Sequence, residues 1–286
     1  DDDLLDATGF DAEDLDELFR QLDLDDEPPE DVGPRLDQAE QLRQHWGVET
    51  GQLWRIPSRT VPGGEHRIIC GDCTDLQVVT ALIDRQTVAA VVTDPPYGVG
   101  IEYGEYNDTR ANLTQLINKV MPILLDLAEV VGVTPGNGNQ RLYPDPDWCL
   151  GWFFPSGRNM VKWGFQNWQP ILVWGKDPYL ARGMGARPDA VWTHDQVENL
   201  EHPTVKPLEF WEWLVERLSP AFGSVIYDPF LGSGTTIVAC ERLGRIGRGV
   251  EIEPKYVAVA LQRLADMGLQ PELVETVSVY TGGDGE

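Results

Sequence analysis

Hydrophobic and polar positions follow one another along this 286-residue chain in blocks that predict strands followed by helices. The stretch "EHRIICGDCTD" (65–75) predicts a strand that ends in a polar turn, and residues 76–86 predict a helix. The stretch "TVAAVVTDPPY" (87–97) is apolar without alternation, which is typical of a strand inside a parallel sheet. A Gly- and Tyr-rich loop (98–109) precedes a further predicted helix at 110–129.

The second half of the chain repeats this order of elements. The stretch "QPILVWGK" (169–176) predicts a strand, and residues 201–220 predict a loop that leads into an amphipathic helix. Residues 223–244 predict a strand, a glycine-rich turn and a helix, and 245–268 predict a strand, an acidic turn and a helix. Strands that alternate with helices predict an α/β fold with a doubly wound, mostly parallel sheet.

Charge is concentrated at the N-terminus. The net charge is −25, and residues 1–40 contain 17 Asp and Glu against 2 Lys and Arg. We therefore predict an acidic arm at 1–36, a catalytic domain at 37–270 and a tail at 271–286. Four apolar residues of the arm fall at helical spacing: Leu15, Leu18, Phe19 and Leu22. They predict a short helix on a flexible arm. Alternatively, the segment docks a partner or mimics DNA.

The sequence contains neither a run of 18 apolar residues nor a signal-peptide pattern, so we predict no membrane span and a cytoplasmic protein. Cys70 and Cys73 have C-x-x-C spacing, but a metal site would need a second pair or paired histidines, and none is present. We therefore predict no metal. A redox pair stays an alternative to reduced thiols near the end of a strand.

The glycine-rich turn "YDPFLGSGTT" (227–236) has the form of a ligand-binding loop, because glycine permits close approach and a helix N-terminus offers free N–H groups. It lacks the P-loop pattern, and Ile237 stands where a dinucleotide fingerprint has its third glycine. Glu251, with Glu253 in reserve, follows the next strand and is a candidate for binding ribose hydroxyls. The turn indicates a nucleoside-containing cofactor or, alternatively, a purely structural strand–turn–helix unit.

Three motifs stand in a particular order: "DPPY" (94–97), "HPTVKP" (202–207) and "DPFLGSGT" (228–235). Together they resemble the amino-group (N6-adenine/N4-cytosine) DNA methyltransferases that use S-adenosylmethionine, in the motif order of the permuted beta class. The resemblance covers residues 45–265, and its beginning (54–75) resembles phage and prophage members. It implies a Rossmann-like methyltransferase fold with circularly permuted motifs, and double-stranded DNA as partner.

The resemblance also implies how the first motif works. Asp94 and the carbonyl of Pro95 would accept hydrogen bonds from the amine of the target base. Pro95 and Pro96 would fix the backbone, because the proline ring restricts φ. Tyr97 would stack on the base, which has to leave the helix to reach this site.

The resemblance further implies a cofactor pocket. Asp72 would touch the adenine ring, and Thr204 and Lys206 would meet the cofactor carboxylate, with a charge-assisted contact from Lys206. His202 would be a loop hydrogen-bonder rather than a catalyst. The remaining residues of the implied cofactor-binding set are Asp228, Phe230, Gly232, Gly234, Thr235 and Glu251.

Target recognition would lie at about 100–200. Residues 139–187 contain six basic side chains against three acidic ones, and Arg and Lys can contact phosphates or guanine edges. Trp168 would form a wall beside the flipped base, although the aromatic residues of this region could equally be core. The region is short, so a homodimer or a partner protein could help. The candidate DNA-binding residues are Arg141, Arg158, Lys162, Trp168, Arg182 and Arg187.

Several alternatives stay open. The Asp in DPPY favours adenine N6, whereas members that modify cytosine N4 more often carry Ser in place of Asp94. A nucleotide-dependent oxidoreductase would need the missing third glycine and would leave DPPY unexplained. A non-enzymatic alternative is a catalytically inactive module that binds DNA or a partner through its acidic arm.

Overall fold

The computed structural model describes residues 30–103, 106–154, 160–161, 163–193 and 206–277. The α-helices are α1 (Ala39–Trp46), α2 (Leu76–Ile83), α3 (Arg110–Leu127), α4 (Pro178–Ala181), α5 (Leu208–Leu218), α6 (Thr235–Arg242) and α7 (Pro254–Asp266). The strands are β1 (Gln52–Pro57), β2 (Glu65–Cys70), β3 (Val88–Thr93), β4 (Val99–Tyr103), β5 (Tyr106–Thr109), β6 (Ala128–Val133), β7 (Trp148–Phe153), β8 (Met160–Val161), β9 (Gly164–Phe165), β10 (Trp168–Gly175), β11 (Ala190–Trp192), β12 (Val225–Asp228), β13 (Ile246–Glu251) and β14 (Glu272–Thr276).

Ten of these strands form one sheet in the order β11-β7-β10-β6-β3-β12-β13-β2-β1-β14. The five central strands, from β6 to β2, are parallel to one another. The neighbouring strands β10 and β1 pair antiparallel to this centre. The predicted α/β fold with a mostly parallel sheet is therefore confirmed.

Both faces of the central sheet are covered by helices. Val91 of β3 packs in a cluster with Leu82 of α2 and Leu113 of α3. Ala90 and Val92, which point the other way, pack in a different cluster with side chains of α5 and α6. Because β3 is buried on both faces, its sequence shows no alternation between apolar and polar positions.

The carboxyl ends of the parallel strands meet at one edge of the sheet, where ligands bind in folds of this kind. The chain that leaves β2 continues to Asp72, and the chain that leaves β3 continues to Asp94. Thr134 follows β6 directly, while Asp228 and Glu251 are the last residues of β12 and β13. The fold thus collects four carboxylates and a hydroxyl at this edge.

Local sequence sets where the helices near this edge begin. Asp75 caps α2, because its carboxylate accepts a hydrogen bond from the backbone N–H of Gln77 at 2.8 Å. Gly234, at φ +86°, precedes α6, and a Cβ at this position would lie 2.9 Å from the Cβ of Ala260 in α7. Gly234 therefore permits both the left-handed turn and the close approach of α7.

Three regions differ from the simple sequence pattern. The predicted strand at 169–176 is confirmed as β10, and the chain around it adds β7 and β11, which the pattern does not predict, to the same side of the sheet. Glu272–Thr276, inside the predicted tail, pairs with β1 as an edge strand. Residues 30–36 of the predicted arm pack on the body, whereas the apolar positions Leu15 to Leu22 lie outside the described residues. No helix in the described part of the chain has the length and apolar character needed to cross a bilayer.

Candidate active site

A cavity of about 480 Å3 opens at the carboxyl edge of the sheet. Its walls include Asp94–Tyr97 after β3, the turn Asp228–Ser233 after β12, and Glu251–Glu253 after β13. The volume lies within the roughly 300–1,000 Å3 range of small-molecule sites. The structure therefore brings the DPPY motif and the glycine-rich turn, which are more than a hundred residues apart in sequence, into a single cavity.

The Asp94 carboxylate is held by three donors. Its Oδ1 accepts hydrogen bonds from the hydroxyl of Tyr97, at 2.5 Å, and from the hydroxyl of Thr134. Its Oδ2 accepts a bond from Lys206 Nζ at 2.5 Å, and the Lys206 side chain is 10% exposed. This ion pair is shielded from solvent, so it orients the carboxylate more firmly than a surface pair would. Thr134 was not among the predicted site residues. Its position, as a polar residue directly after the apolar run "VVGV", could have indicated it.

The Tyr97 side chain is fixed from several sides. Its hydroxyl accepts a hydrogen bond from Lys206 Nζ at 2.8 Å, and its backbone carbonyl accepts one from the side-chain amide of Asn139 at 2.8 Å. Gly136, at φ +68°, lies against the Tyr97 ring, with 3.4 Å from its ideal Cβ position to the ring carbons. The ring therefore has a defined position beside Asp94.

Asp228 lines the cavity and is the centre of a hydrogen-bond network. Its carboxylate accepts hydrogen bonds from the hydroxyl of Thr93 at 2.6 Å, from the hydroxyl of Thr236, and from the N–H of Phe230 at 3.0 Å. The indole N–H of Trp211 donates in turn to Thr236 Oγ1 at 2.5 Å. Burial raises the pKa of Asp228 to about 6, while these hydrogen bonds oppose the shift. The network joins β3, β12, α5 and α6 directly beneath Asp94.

Glu251 binds the glycine-rich turn from its side. Its carboxylate accepts hydrogen bonds from the backbone N–H groups of Gly232, at 2.8 Å, and of Glu253, at 2.9 Å. Gly232 has φ +55°, and no heavy atom lies within 4 Å of its ideal Cβ position, so it faces open space. Both Gly232 and Glu251 line the cavity, where each remaining lone pair of the carboxylate can accept a hydroxyl.

Stability should depend on pH through Glu251. Burial raises the pKa of Glu251 from 4.5 to about 7. A carboxyl group with a higher pKa in the folded protein stabilises the fold most when protonated, and this contribution is lost as pH rises through the folded pKa. We expect the free energy of unfolding of the wild type to fall relative to that of Glu251→Gln between about pH 5 and pH 7.5, as measured by denaturant titration. Parallel curves for the two proteins would contradict this assignment.

Asp72 and Cys73 form the cavity wall beyond β2. Asp72 is exposed, and its Oδ1 accepts a hydrogen bond from the N–H of Thr74 at 2.8 Å. Cys70 and Cys73 are free and buried, and burial raises the pKa of Cys70 to about 12 and that of Cys73 well above its usual value. Such thiols are poorly reactive, which favours the reading as structural thiols over a redox pair.

The first turns of α3 contribute a wall that the sequence motifs do not indicate. The residues of α3 that line the cavity are Asn112, Gln115, Leu116 and Lys119. Lys119 is exposed. Their signal in the sequence is weak, because polar residues on one face of an amphipathic helix usually mark a solvated surface.

The candidate DNA contacts separate into two groups. Trp168 begins β10, which is antiparallel to β6, so it lies at the same edge as Asp94, and its carbonyl accepts a hydrogen bond from Asn137 at 3.1 Å. Arg141 is exposed two residues after Asn139, which contacts the Tyr97 backbone. Arg182 and Arg187 follow the far end of β10 and lie at the opposite edge. The structure therefore does not bring Arg182 and Arg187 to the site.

Three predicted site residues cannot be placed. Thr204, Arg158 and Lys162 lie outside the described residues, and their predicted roles stay predictions. The aromatic residues around them are divided between core and surface. Trp152 and Trp174 are buried, whereas Trp163 at the turn of the β8–β9 hairpin is 99% exposed. The aromatic residues of this region are therefore neither all part of the core nor all exposed.

Comparison with known proteins shows which family the chain resembles. Residues 161–262 match the family model of N6/N4 DNA methylases. The Type II methyltransferase M.HpaI of Haemophilus parainfluenzae is 25% identical over 244 residues, which cover 70% of this chain and 74% of that protein. The Type II methyltransferase M2.DpnII of Streptococcus pneumoniae is 43% identical over 82 residues, which cover 26% of this chain and 29% of that protein.

The fold also has a solved counterpart. The crystal structure of the M1.HpyAVI–SAM complex aligns with a TM-score of 0.50 and 22% sequence identity, over 69% of this chain and 98% of that one. At this level of identity the likeness shows a shared fold. The family match confirms the resemblance to the amino-group (N6-adenine/N4-cytosine) DNA methylases, and the matched residues 161–262 include the second and third motifs.

Proposed function

We propose that this chain is a DNA methyltransferase that transfers a methyl group from S-adenosylmethionine to the N6 amine of a flipped-out adenine. The observation that carries the proposal is the single cavity that Asp94, Gly232 and Glu251 line together. A donor of methyl groups bound at the glycine-rich turn would lie directly beside the carboxylate that holds the target amine.

The residues of the cavity fit S-adenosylmethionine. Glu251 offers acceptors for ribose hydroxyls, and Asp72 lies across the mouth of the cavity where an adenine amine would lie. Phe230, Ile252 and Tyr256 supply the apolar surface that a purine ring needs. When bound, S-adenosylmethionine supplies an electrophilic methyl group on a sulfonium.

The charge of the cavity favours a cationic cofactor over a nucleotide diphosphate. Lys119 and Lys206 are the cationic side chains on the described cavity wall. Five carboxyl groups line the same wall, and those of Asp228 and Glu251 have a pKa of about 6 and about 7, so above neutral pH the wall carries more negative than positive charge, which would repel a pyrophosphate and attract a sulfonium. This argues against a nicotinamide-dependent oxidoreductase. The five carboxylates belong to Asp72, Asp94, Asp228, Glu251 and Glu253.

Asp94 and Pro95 perform the positioning step in this proposal. The lone pair of a nucleobase amine is delocalised into the ring, so attack requires the amine to be oriented. Asp94 Oδ2 and the carbonyl of Pro95 would accept its two protons as hydrogen bonds, and alignment of this kind supplies much of the rate of an enzyme. As the nitrogen–methyl bond forms, the carbon–sulfur bond of the donor would break and leave a neutral thioether, and the methylated nitrogen would lose one proton, which Asp94 would receive.

Lys206 shares Asp94 with the target amine. A carboxylate oxygen has two lone pairs, so Oδ2 can accept Lys206 Nζ and the amine together. Lys206 therefore holds the carboxylate in place while the base is bound. The contact of Lys206 with a cofactor carboxylate, which the motif resemblance implies, remains a further expectation for this side chain.

The choice of base rests on Asp94. The motif resemblance supports adenine N6 as the target, because members that modify cytosine N4 more often carry Ser in place of Asp94, and cytosine N4 remains the alternative in the same family. To test the reaction class, wild type and Asp94→Ala are incubated with methyl-labelled S-adenosylmethionine and either duplex DNA or RNA. We expect label in DNA with the wild type alone. Cofactor binding without label in DNA would favour a binding module, and binding of a nicotinamide nucleotide would favour an oxidoreductase.

Gly232→Val should weaken binding of the cofactor. The new Cβ meets no heavy atom within 4 Å, although the left-handed φ of +55° strains the backbone, and the isopropyl group would project into the cavity beside Glu251. We expect Kd for S-adenosylmethionine, measured by calorimetry, to rise at least about tenfold, which corresponds to about 1.4 kcal/mol.

Gly63→Val is the matched control for this variant. Gly63 has φ +69° and no heavy atom within 4 Å of its ideal Cβ position, but it lies in the turn between β1 and β2, away from the cavity. A valine there imposes the same backbone strain on the fold. Equal affinities for Gly232→Val and Gly63→Val would place the cofactor elsewhere.

A further inference from the structure

The N-terminal segment 30–36 is tied to the body by a buried ion pair. Arg263 of α7 donates to Asp31 twice, from Nε to Oδ1 at 2.8 Å and from Nη2 to Oδ2 at 2.6 Å. The Arg263 side chain is 3% exposed and that of Asp31 is 9% exposed. Two parallel hydrogen bonds between a guanidinium and a carboxylate fix both partners in distance and in angle.

The same guanidinium holds the cofactor loop. Nη1 of Arg263 donates to the carbonyl oxygen of Ser233 at 3.3 Å and to Thr235 Oγ1 at 3.0 Å. Ser233 and Thr235 both line the cavity, on either side of Gly234. Arg263 thus stands between the N-terminal segment and the turn that the proposed function assigns to the cofactor.

The segment itself reaches the cavity a few residues later. The N–H of Gly33 donates to Asp31 Oδ1 at 3.0 Å, which closes a turn, and Arg35 pairs with Asp266 at 2.8 Å. Leu36 then lines the cavity and packs beside the cluster that contains Leu231. These contacts direct the chain from the acidic region across α7 to the cavity wall.

We propose that residues 30–36 place Leu36 in the wall of the cofactor cavity, and that Asp31 is a positioning residue that acts through Arg263 on the turn 232–235. This inference rests on the proposed function for the identity of the ligand. Without Asp31, the buried guanidinium loses the carboxylate that orients it, and it can turn away from Ser233 and Thr235. The turn would then hold its binding conformation for a smaller fraction of the time, which lowers apparent affinity.

The test compares Asp31→Asn with Asp37→Asn in the full chain. Asp37 is a matched control, because it is an exposed aspartate six residues further on. For Asp31→Asn we expect Kd for S-adenosylmethionine to rise at least about tenfold, while kcat at saturating cofactor stays within about twofold of the wild type. Asp31→Glu, which keeps the charge, should recover most of the affinity. A general structural role would lower stability without this separation of Kd from kcat.

A second readout is independent of the ligand. Hydrogen exchange of the backbone amides at 232–236 should be faster in Asp31→Asn than in Asp37→Asn, even if the wild type binds no S-adenosylmethionine. Faster exchange in Asp31→Asn, together with no binding of S-adenosylmethionine by the wild type, would support the positioning role and contradict the proposed function. Unchanged exchange together with unchanged affinity would overturn the positioning role.

Leu36→Ala tests the contribution of Leu36 to the cavity wall and leaves the Asp31–Arg263 ion pair in place. It replaces Asp31→Asn as the test if that variant does not fold. We expect it to raise Kd by at least about threefold because apolar contact with the ligand is lost. Deleting residues 1–29 should leave the affinity unchanged, whereas deleting 1–36 should lower it. Equal affinities for Leu36→Ala, both deletions and the wild type would contradict the proposal.

Discussion

Replacing Asp94 by Ala is expected to lower kcat for methyl transfer at least about 1,000-fold while Kd for S-adenosylmethionine stays within about threefold. The variant removes the acceptor that orients the target amine, and with it the partner of Lys206, Tyr97 and Thr134. Asp228, Gly232 and Glu251, which shape the rest of the cavity, keep their own hydrogen bonds.

Two further variants are compared with Asp94→Ala. Asp126→Ala changes an exposed aspartate on α3 that does not line the cavity, and it should leave kcat unchanged. Thr134→Val removes one of the donors to Asp94, and it should lower kcat by about tenfold, since a single lost hydrogen bond is worth about 1–1.5 kcal/mol. Retained turnover in Asp94→Ala would refute the proposed role of the DPPY motif.

Replacing Glu251 by Ala is expected to raise Kd for S-adenosylmethionine by about 10- to 150-fold, since hydrogen bonds to a charged group are each worth about 1.5–3 kcal/mol. The Glu251 carboxylate holds the N–H groups of Gly232 and Glu253, so its loss frees the turn and also removes the proposed acceptor for the ribose. Calorimetric titration of the two proteins at one pH measures the effect.

Glu253→Ala is the matched comparison. Glu253 lies two residues away on the same cavity wall, is half-buried, and makes no side-chain cap at the start of α7. We expect its Kd to stay within about threefold of the wild type. A larger effect for Glu253→Ala than for Glu251→Ala would exchange the assigned roles of the two glutamates.

Four of the five central strands and the positions of the main motifs could be predicted from the sequence, whereas β6 was missed because it begins directly where α3 ends. The runs that lead to Asp94, Asp228 and Glu251 are apolar without alternation, because these strands are buried on both faces. A polar residue at the end of each such run then falls at the carboxyl edge of the sheet. The apolar pattern and the topology of a parallel sheet therefore place these carboxylates at one edge without knowledge of any individual contact.

The contacts within the site depend on residues that are far apart in the chain. Lys206 is 112 residues from Asp94, and Arg263 is 232 residues from Asp31. No local pattern distinguishes these charged residues from those of a solvated surface, and Asp31, which packs against the body, follows directly after a long run of acidic sequence. The strands β7 and β11 were missed because their short apolar runs lie among aromatic and glycine-rich stretches.

The central claim is methyl transfer to adenine N6, and the most direct measurement identifies the methylated nucleoside. The protein is incubated with methyl-labelled S-adenosylmethionine and unmethylated genomic DNA, and the DNA is digested and analysed by mass spectrometry. The account predicts label in N6-methyldeoxyadenosine. Label in N4-methyldeoxycytidine would contradict the choice of base but keep the mechanism, and bound cofactor without any labelled nucleoside would contradict the claim itself.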